Sequence, residues 1–233
     1  MLIVNNLIKT FKGQKEPTLK NISFEVEDGE IFGIVGKNGA GKSTTIKSIM
    51  GIVPFESGEI LVNGYNIKTN PNEAKLTIGY VPDDHSVYEN LTGREYVNFM
   101  ADIYKVDKQK RENKILKYST LLNMDKALDK QINGYSHGMR QKICIMGALV
   151  HTPKLWILDE PFLGLDPQSV KALKKCIKEY SRSKKHLVIF TSHNLDTVVE
   201  MCNRVCVIEN GQIKDIVNSK TKTGIRKLKS LMR

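Results

Sequence analysis

The clearest alternation in the chain is Ile22, Phe24 and Val26, separated by polar Ser23 and Glu25. That period of two makes residues 20–26 a half-buried strand. A second strand over 2–11, with the turn Lys12-Gly13-Gln14-Lys15-Glu16-Pro17 between them, predicts an antiparallel layer at the start of the chain. Glu30-Ile31-Phe32-Gly33-Ile34-Val35 reads instead as a buried strand. The period then lengthens, with Ile46, Ile49, Met50 and Val53 at helical spacing. Glu56-Ser57-Gly58-Glu59 is a turn before a strand at 60–62, and Asn63-Gly64 is a hairpin signal. Asn70-Pro71-Asn72-Glu73 caps and opens a short helix with Pro at its first position. A strand over 77–81 ends at Pro82-Asp83-Asp84-His85.

From about 92 to 150 the pattern is helical. Thr92-Gly93-Arg94-Glu95 is a capping box before a helix with Tyr96, Met100 and Ile103 on one face. A second helix near 108–122 carries Ile115, Tyr118 and Leu122 in step. After a break at Asn133-Gly134, Ser136 caps a third helix lined by Met139, Ile143, Met146 and Val150. The apolar run Leu155-Trp156-Ile157-Leu158 then suits a central parallel strand. A helix through Val170, Leu173, Ile177 and Tyr180, a strand at 187–191 and a helix carrying Leu195, Val198, Val199 and Cys202 follow. Two last strands, 205–209 and 212–217, join at Asn210-Gly211. The elements predict a single α/β domain over 1–233. Its mixed sheet carries an antiparallel N-terminal β layer, an inserted all-helical subdomain at about 87–148 and a basic C-terminal tail at about 218–233.

Composition alters this picture little. The chain is 40% apolar and 26% charged, ordinary for a soluble protein. No apolar run approaches the roughly 20 residues that span a bilayer. Met1-Leu2-Ile3-Val4-Asn5-Asn6 lacks the basic and apolar regions of a secretory signal. Cys144, Cys176, Cys202 and Cys206 fall in helix or strand stretches, which predicts buried reduced thiols and a cytosolic compartment. The net charge of +11 is compatible with nucleic acid, an anionic membrane surface or a lysine-rich exterior. Its one concentration, at the C-terminus, reads as a solvated tail or a segment leaning on an anionic membrane.

Three stretches carry chemistry. Gly36-Lys37-Asn38-Gly39-Ala40-Gly41-Lys42-Ser43-Thr44 fits G-x-x-x-x-G-K-[ST], between a buried strand and a helix. Its glycines let backbone N–H groups approach an anion, and the following helix aims its positive end there. Lys42 supplies charge for β- and γ-phosphates, and the Ser43 hydroxyl suits Mg²⁺. Asp159 and Glu160 end an apolar strand, where ligands of open parallel sheets sit. Asp159 suits the metal; Glu160, expected on the opposite face by strand alternation, suits activation of a water. In Tyr135-Ser136-His137-Gly138-Met139, Ser136 and Gly138 at a helix N-terminus form a second potential anion site. A helical insertion separates it from the first, so a head-to-tail pair of copies would be needed to bring both onto one nucleotide.

With these motifs in this order, the chain resembles the ATP-binding cassette (ABC) transporter ATPases over about residues 2–217. Its Walker A motif is 36–44, Walker B is 155–159, the D-loop is Leu163-Gly164-Leu165-Asp166, and the switch histidine is His193 in Thr191-Ser192-His193. The resemblance implies Glu160, His193 and Lys42 as catalytic residues. It implies ATP contacts from Phe11, Gly36, Asn38, Gly39, Ala40, Gly41, Lys42, Ser43 and Thr44, and from Ser136 and Gly138 of the opposite subunit. Mg²⁺ would be held by Ser43, Asp159 and Asp83. Core or edge packing is the other reading of Phe11. The chain departs from the family pattern at His137 (usually glycine), Asp83 (usually glutamine), Leu163 (usually serine) and Phe11 (more often tyrosine). His137 thus either alters the anion site or is an exposed helix residue without a role. The implied protein is an ATPase at the cytoplasmic face of the cell membrane. Its partners would be an integral membrane (permease) subunit and a second copy of itself or a homologous ATPase subunit, with nucleic acid not expected. The motif variants resemble the bacterial exporter group for drugs, peptides and lipids. An ABC-type ATPase acting on nucleic acid is the alternative, and the absence of sustained heptads speaks against it.

Overall fold

The computed structural model describes residues 1–84 and 86–232; His85, expected to help end a strand, lies outside the described residues. In chain order the elements are β1 (Leu2–Lys9), β2 (Leu19–Val26), β3 (Ile31–Val35), α1 (Lys42–Ile49), β4 (Ser57–Val62), β5 (Tyr65–Asn66), α2 (Pro71–Leu76) and β6 (Ile78–Val81). Then come α3 (Gly93–Ile103), α4 (Lys108–Leu122), a 3₁₀ turn (Ile132–Gly134), α5 (His137–Leu149), β7 (Leu155–Leu158), α6 (Pro167–Ser181) and β8 (Leu187–Ser192). The chain finishes with α7 (Leu195–Met201), β9 (Arg204–Glu209), β10 (Gln212–Asn218) and α8 (Lys222–Leu231).

Two sheets result. The N-terminal layer is antiparallel with strand order β2-β1-β4-β5. On β2, Ile22, Phe24 and Val26 point inward while Ser23 and Glu25 face solvent. The second sheet runs β10-β9-β3-β8-β7-β6 and is parallel except for β10, which makes it mixed. Its central strands are buried on both faces, so they read as continuous apolar runs. Ile157 and Ile189 pack with α1 and the N-terminal layer, whereas Trp156, Leu158, Val188 and Phe190 pack toward the helices on the other side. That division is the period-two alternation of a strand applied twice.

The parallel register matters for function. Val35 lies beside Ser192, Leu158 beside Phe190, and Val81 beside Leu158. The ends of β3, β8, β7 and β6 therefore finish at one edge of the sheet. The segment between β6 and β7 holds α3, α4 and α5. Thr92 and Glu95 form the reciprocal capping box at the start of α3.

Three local expectations change. Ile103 is 51% exposed, because the buried stripe of α3 runs through Tyr96, Val97 and Ala101 and turns Ile103 outward. Asn70 does not cap α2; its side-chain oxygen accepts from the Thr69 hydroxyl instead. The basic tail is not a solvated strand of chain but the helix α8, with Thr221 as its cap and Leu228 fully buried. Gly224 sits so close to the Asn218 carbonyl that a Cβ there would collide with it, and Lys227 pairs with Asp215. The polar surface of α8 hid a narrow apolar stripe.

Candidate functional site

A cleft of about 800 Å³ opens at that shared sheet edge. The loop between β3 and α1 forms one wall. It bends at Gly41, whose φ of 110° is barred to most side chains. Gly36 is needed for closeness, since a Cβ there would strike the Ile208 carbonyl. Gly211 N–H donates to the Ala40 carbonyl at 3.0 Å, bracing the loop from the β9–β10 turn. Among the described residues no side chain caps α1, so its first N–H groups are left for a ligand.

Lys42 is 7% exposed, and its ammonium donates to the Gly36 and Lys37 carbonyls at 2.9 and 3.3 Å. Among the described residues no carboxylate pairs with it. A buried cation held only by carbonyls is set up for an anion.

The opposite wall follows β7. Asp159 is fully buried; its Oδ1 accepts from the Thr191 hydroxyl at 2.5 Å, and its Oδ2 is enclosed with no hydrogen-bond partner among the described residues. The same Thr191 oxygen accepts from the Glu160 N–H at 2.8 Å. Glu160 has φ 46°, so the chain turns sharply after the strand. This corrects the alternation argument. Strand β7 ends at Leu158, and the left-handed turn, not the pleat, aims Glu160 into the cleft. There its Oε2 lies 3.1 Å from His193 Nδ1. His193 is more than half exposed, and Glu160 is largely covered.

Of the residues singled out in the sequence, Phe11, Asn38, Gly39, Gly41, Lys42, Ser43, Thr44, Asp83, Glu160 and His193 line this cleft. Gly36, Ala40 and Asp159 are buried in its walls. Ser136 and Gly138 do not line it; Ser136 is exposed at the start of α5, where its Oγ accepts from the Met139 N–H at 3.4 Å. Sequence reasoning missed Gln14, Thr18 and Lys37 in the lining, and the bridging role of Thr191. Behind the cleft, the Tyr80 hydroxyl is enclosed without a partner among the described residues. Burial, then the charges of Asp159, Asp83 and Asp84, hold that phenol well above its usual range. The turn residues gave no signal because polar residues are ordinary in turns.

The donors fit a hard divalent ion. The unpaired Asp159 Oδ2 is an oxygen, as are the Ser43 hydroxyl and the Asp83 carboxylate. Among the described residues no group of three or more His, Cys, Asp or Glu gathers to hold a metal alone. Such a set suits an ion that keeps waters and shares phosphate ligands. The four cysteines are buried, and burial pushes the Cys144, Cys176 and Cys206 thiols up to about 12. None of the described helices is long and apolar enough to cross a membrane.

Comparison with known proteins bears on this geometry. A family model described as ABC transporter matches residues 19–163. The linearmycin resistance ATP-binding protein LnrL of Bacillus subtilis (strain 168) is 39% identical over 216 residues, 91% of this chain and 68% of that protein. The ABC-type transporter ATP-binding protein EcsA of the same organism is 35% identical over 200 residues, 86% of this chain and 81% of that one. A solved ATP-binding subunit of an ABC transporter superposes with a TM-score of 0.90 at 31% identity, covering 100% of this chain and 94% of that one. A dimeric ATP-binding cassette in a post-hydrolysis state with ADP and Pi has a TM-score of 0.86 at 21% identity, covering 95% of this chain and 100% of that one, and shares the fold.

Proposed function

Because the chain belongs to the ABC transporter family, as an ATP-binding subunit and an ATPase, we propose that its cleft hydrolyses ATP with Glu160 as general base and His193 as its partner. The observation that carries this reading is the 3.1 Å contact between Glu160 Oε2 and His193 Nδ1 in the same cleft as the buried Lys42. A His193 Nδ1–H donating to Glu160 leaves Nε2 available to the γ-phosphate or the attacking water. Lys42 exchanges its carbonyl partners for β- and γ-phosphate oxygens, and the N–H groups of 39–44 surround them. The exposed ring of Phe11 offers a face to adenine.

Ser43 and Asp159, with Asp83 beside them, would hold Mg²⁺. When bound, the ion would neutralise phosphate charge. In-line attack on the γ-phosphate is then mainly positioning and electrostatics. Ser136 and Gly138 serve a nucleotide on a second copy or a homologous subunit. Their place outside the cleft, at an exposed helix N-terminus, supports this. The segment 87–148 acts as a helical subdomain within a single 1–233 domain.

The work is done on a separate permease at the cytoplasmic face of the cell membrane. A groove of about 520 Å³ lined by Val87, Tyr88, Leu91 and Phe99 is its seat, with Tyr88 and Phe99 exposed and packed edge to face at 5.3 Å. The substrate exported is a drug, peptide or lipid-like molecule, and the relative named for linearmycin resistance supports the drug reading.

The test is Glu160→Gln. It should lower hydrolysis by roughly a hundredfold or more and trap an ATP-bound dimer by light scattering. Wild-type turnover removes Glu160 from the base role, and a strict monomer with ATP and Mg²⁺ overturns the shared site. Co-purification with an integral membrane protein checks the transport role; purification with nucleic acid in its place overturns it.

A further inference from the structure

We propose that His137 is a positioning residue for hydrolysis: its imidazole fills the space over Gly164 and braces the turn that carries Glu160 and Leu163 into the cleft. This rests on the reading of Glu160 as general base.

His137 opens α5 and is exposed, yet its ring is seated against a particular neighbour. A Cβ built on Gly164 would lie 3.2 Å from both Cδ2 and Nε2 of His137. Gly164 has φ +73° and no side chain, so its backbone is the least restricted of the turn, and the ring stands close enough that an added Cβ would have to displace it by a few tenths of an ångström. Two more close approaches fall on the same side of α5. A Cβ on Gly138 would meet Leu165 Cδ2 at 3.3 Å, and the buried Gln141 side chain donates to the Pro161 carbonyl. Residues 137, 138 and 141 follow the i, i+1, i+4 spacing of one helix face. They lie over 164, 165 and 161 in turn, with the hydrogen bond from Gln141 to Pro161 as the direct contact.

The braced segment has a defined task. It starts at Glu160 with its left-handed backbone, holds Leu163 in the cleft lining, and ends at Asp166, which caps α6 through the N–H groups of Gln168 and Ser169. Leu163 N–H donates to the Glu160 carbonyl at 3.2 Å, so a shift at the middle of the turn reaches Glu160 directly. Gln141 anchors the start and Asp166 the end. His137 is what packs on the midpoint.

A packing role and a charge role separate cleanly by substitution. In the purified full chain, His137→Gly should lower kcat by roughly threefold to tenfold, with KM for ATP, fluorescent ADP affinity and the unfolding temperature unchanged. His137→Phe, which keeps a ring, should restore most of the rate. Gly164→Ala should slow the wild type more than it slows His137→Gly, because the added methyl meets the imidazole only in the former. Wild-type kcat in His137→Gly overturns the proposal, as does strict additivity of the two changes. Full activity of His137→Lys with Gly-like activity of His137→Phe also overturns it, assigning a charge role. An active Glu160→Gln would instead defeat the base assignment beneath it; an inactive Glu160→Gln beside a wild-type His137→Gly defeats this inference alone.

Discussion

Thr191→Val tests the site through one oxygen atom. The substitution keeps the shape of the side chain and removes a hydroxyl that donates to Asp159 Oδ1 at 2.5 Å and accepts from Glu160 N–H at 2.8 Å. Thr191 and Asp159 are both fully buried and the Glu160 side chain is largely covered, so water has little access to either bond. A hydrogen bond to a charged group contributes about 1.5–3 kcal/mol, and a buried N–H left without a partner costs about 1–3 kcal/mol. Partial relaxation and the gain from burying a methyl reduce the sum, so the net loss should be about 3 kcal/mol. For a domain of this size that is a fall of about 6–12 °C in unfolding temperature. Activity should suffer separately, because the Glu160 turn loses its N–H anchor: kcat should fall roughly tenfold or more. Differential scanning fluorimetry and a coupled ATPase assay measure the two effects, and Thr191→Ser should recover both. A Thr191→Val protein that melts within about 1 °C of wild type and turns over at the wild-type rate would refute the bridge.

Phe11→Ala should weaken ATP binding by roughly 1–2 kcal/mol, while Phe11→Trp should not; titration with a fluorescent nucleotide separates adenine stacking from edge packing. Gly224→Ala forces a Cβ into the Asn218 carbonyl, which should destabilise the docked α8 by about 1–3 kcal/mol. Limited proteolysis should then open residues 219–232, with ATP turnover unchanged. His151 stacks on Tyr104 at 3.6 Å, and burial pushes its pKa down to about 4. Folding there must keep the ring neutral, so stability should fall as pH drops from about 6.5 toward about 4, by up to roughly 3 kcal/mol. His151→Phe keeps the stack and should flatten the acid limb of the stability curve; an unchanged limb would refute the buried neutral ring.

Much of the fold is legible because its signals are local. The 155–158 and 187–190 runs announce strands buried on two faces, the Thr92/Glu95 pair announces a helix start, and Gly36 to Thr44 announces a loop shaped for phosphate, each within about ten residues. Spacing of that kind depends on the backbone periods of 2 and 3.6 and on turn chemistry, which a chain carries wherever it folds. What the tertiary structure alone decided lies in the register between distant strands. Pairing of β7 with β8 sets Thr191 against Asp159, 32 positions earlier in the chain. The left-handed backbone of Glu160, not a strand pleat, aims its carboxylate, and the buried stripe of α8 depends on the edge formed by β10 and α7. The space over Gly164 that His137 fills exists only because α5 and the turn after β7 pack together. Sequence period determines which face of an element is apolar; only close packing determines which atom stands opposite.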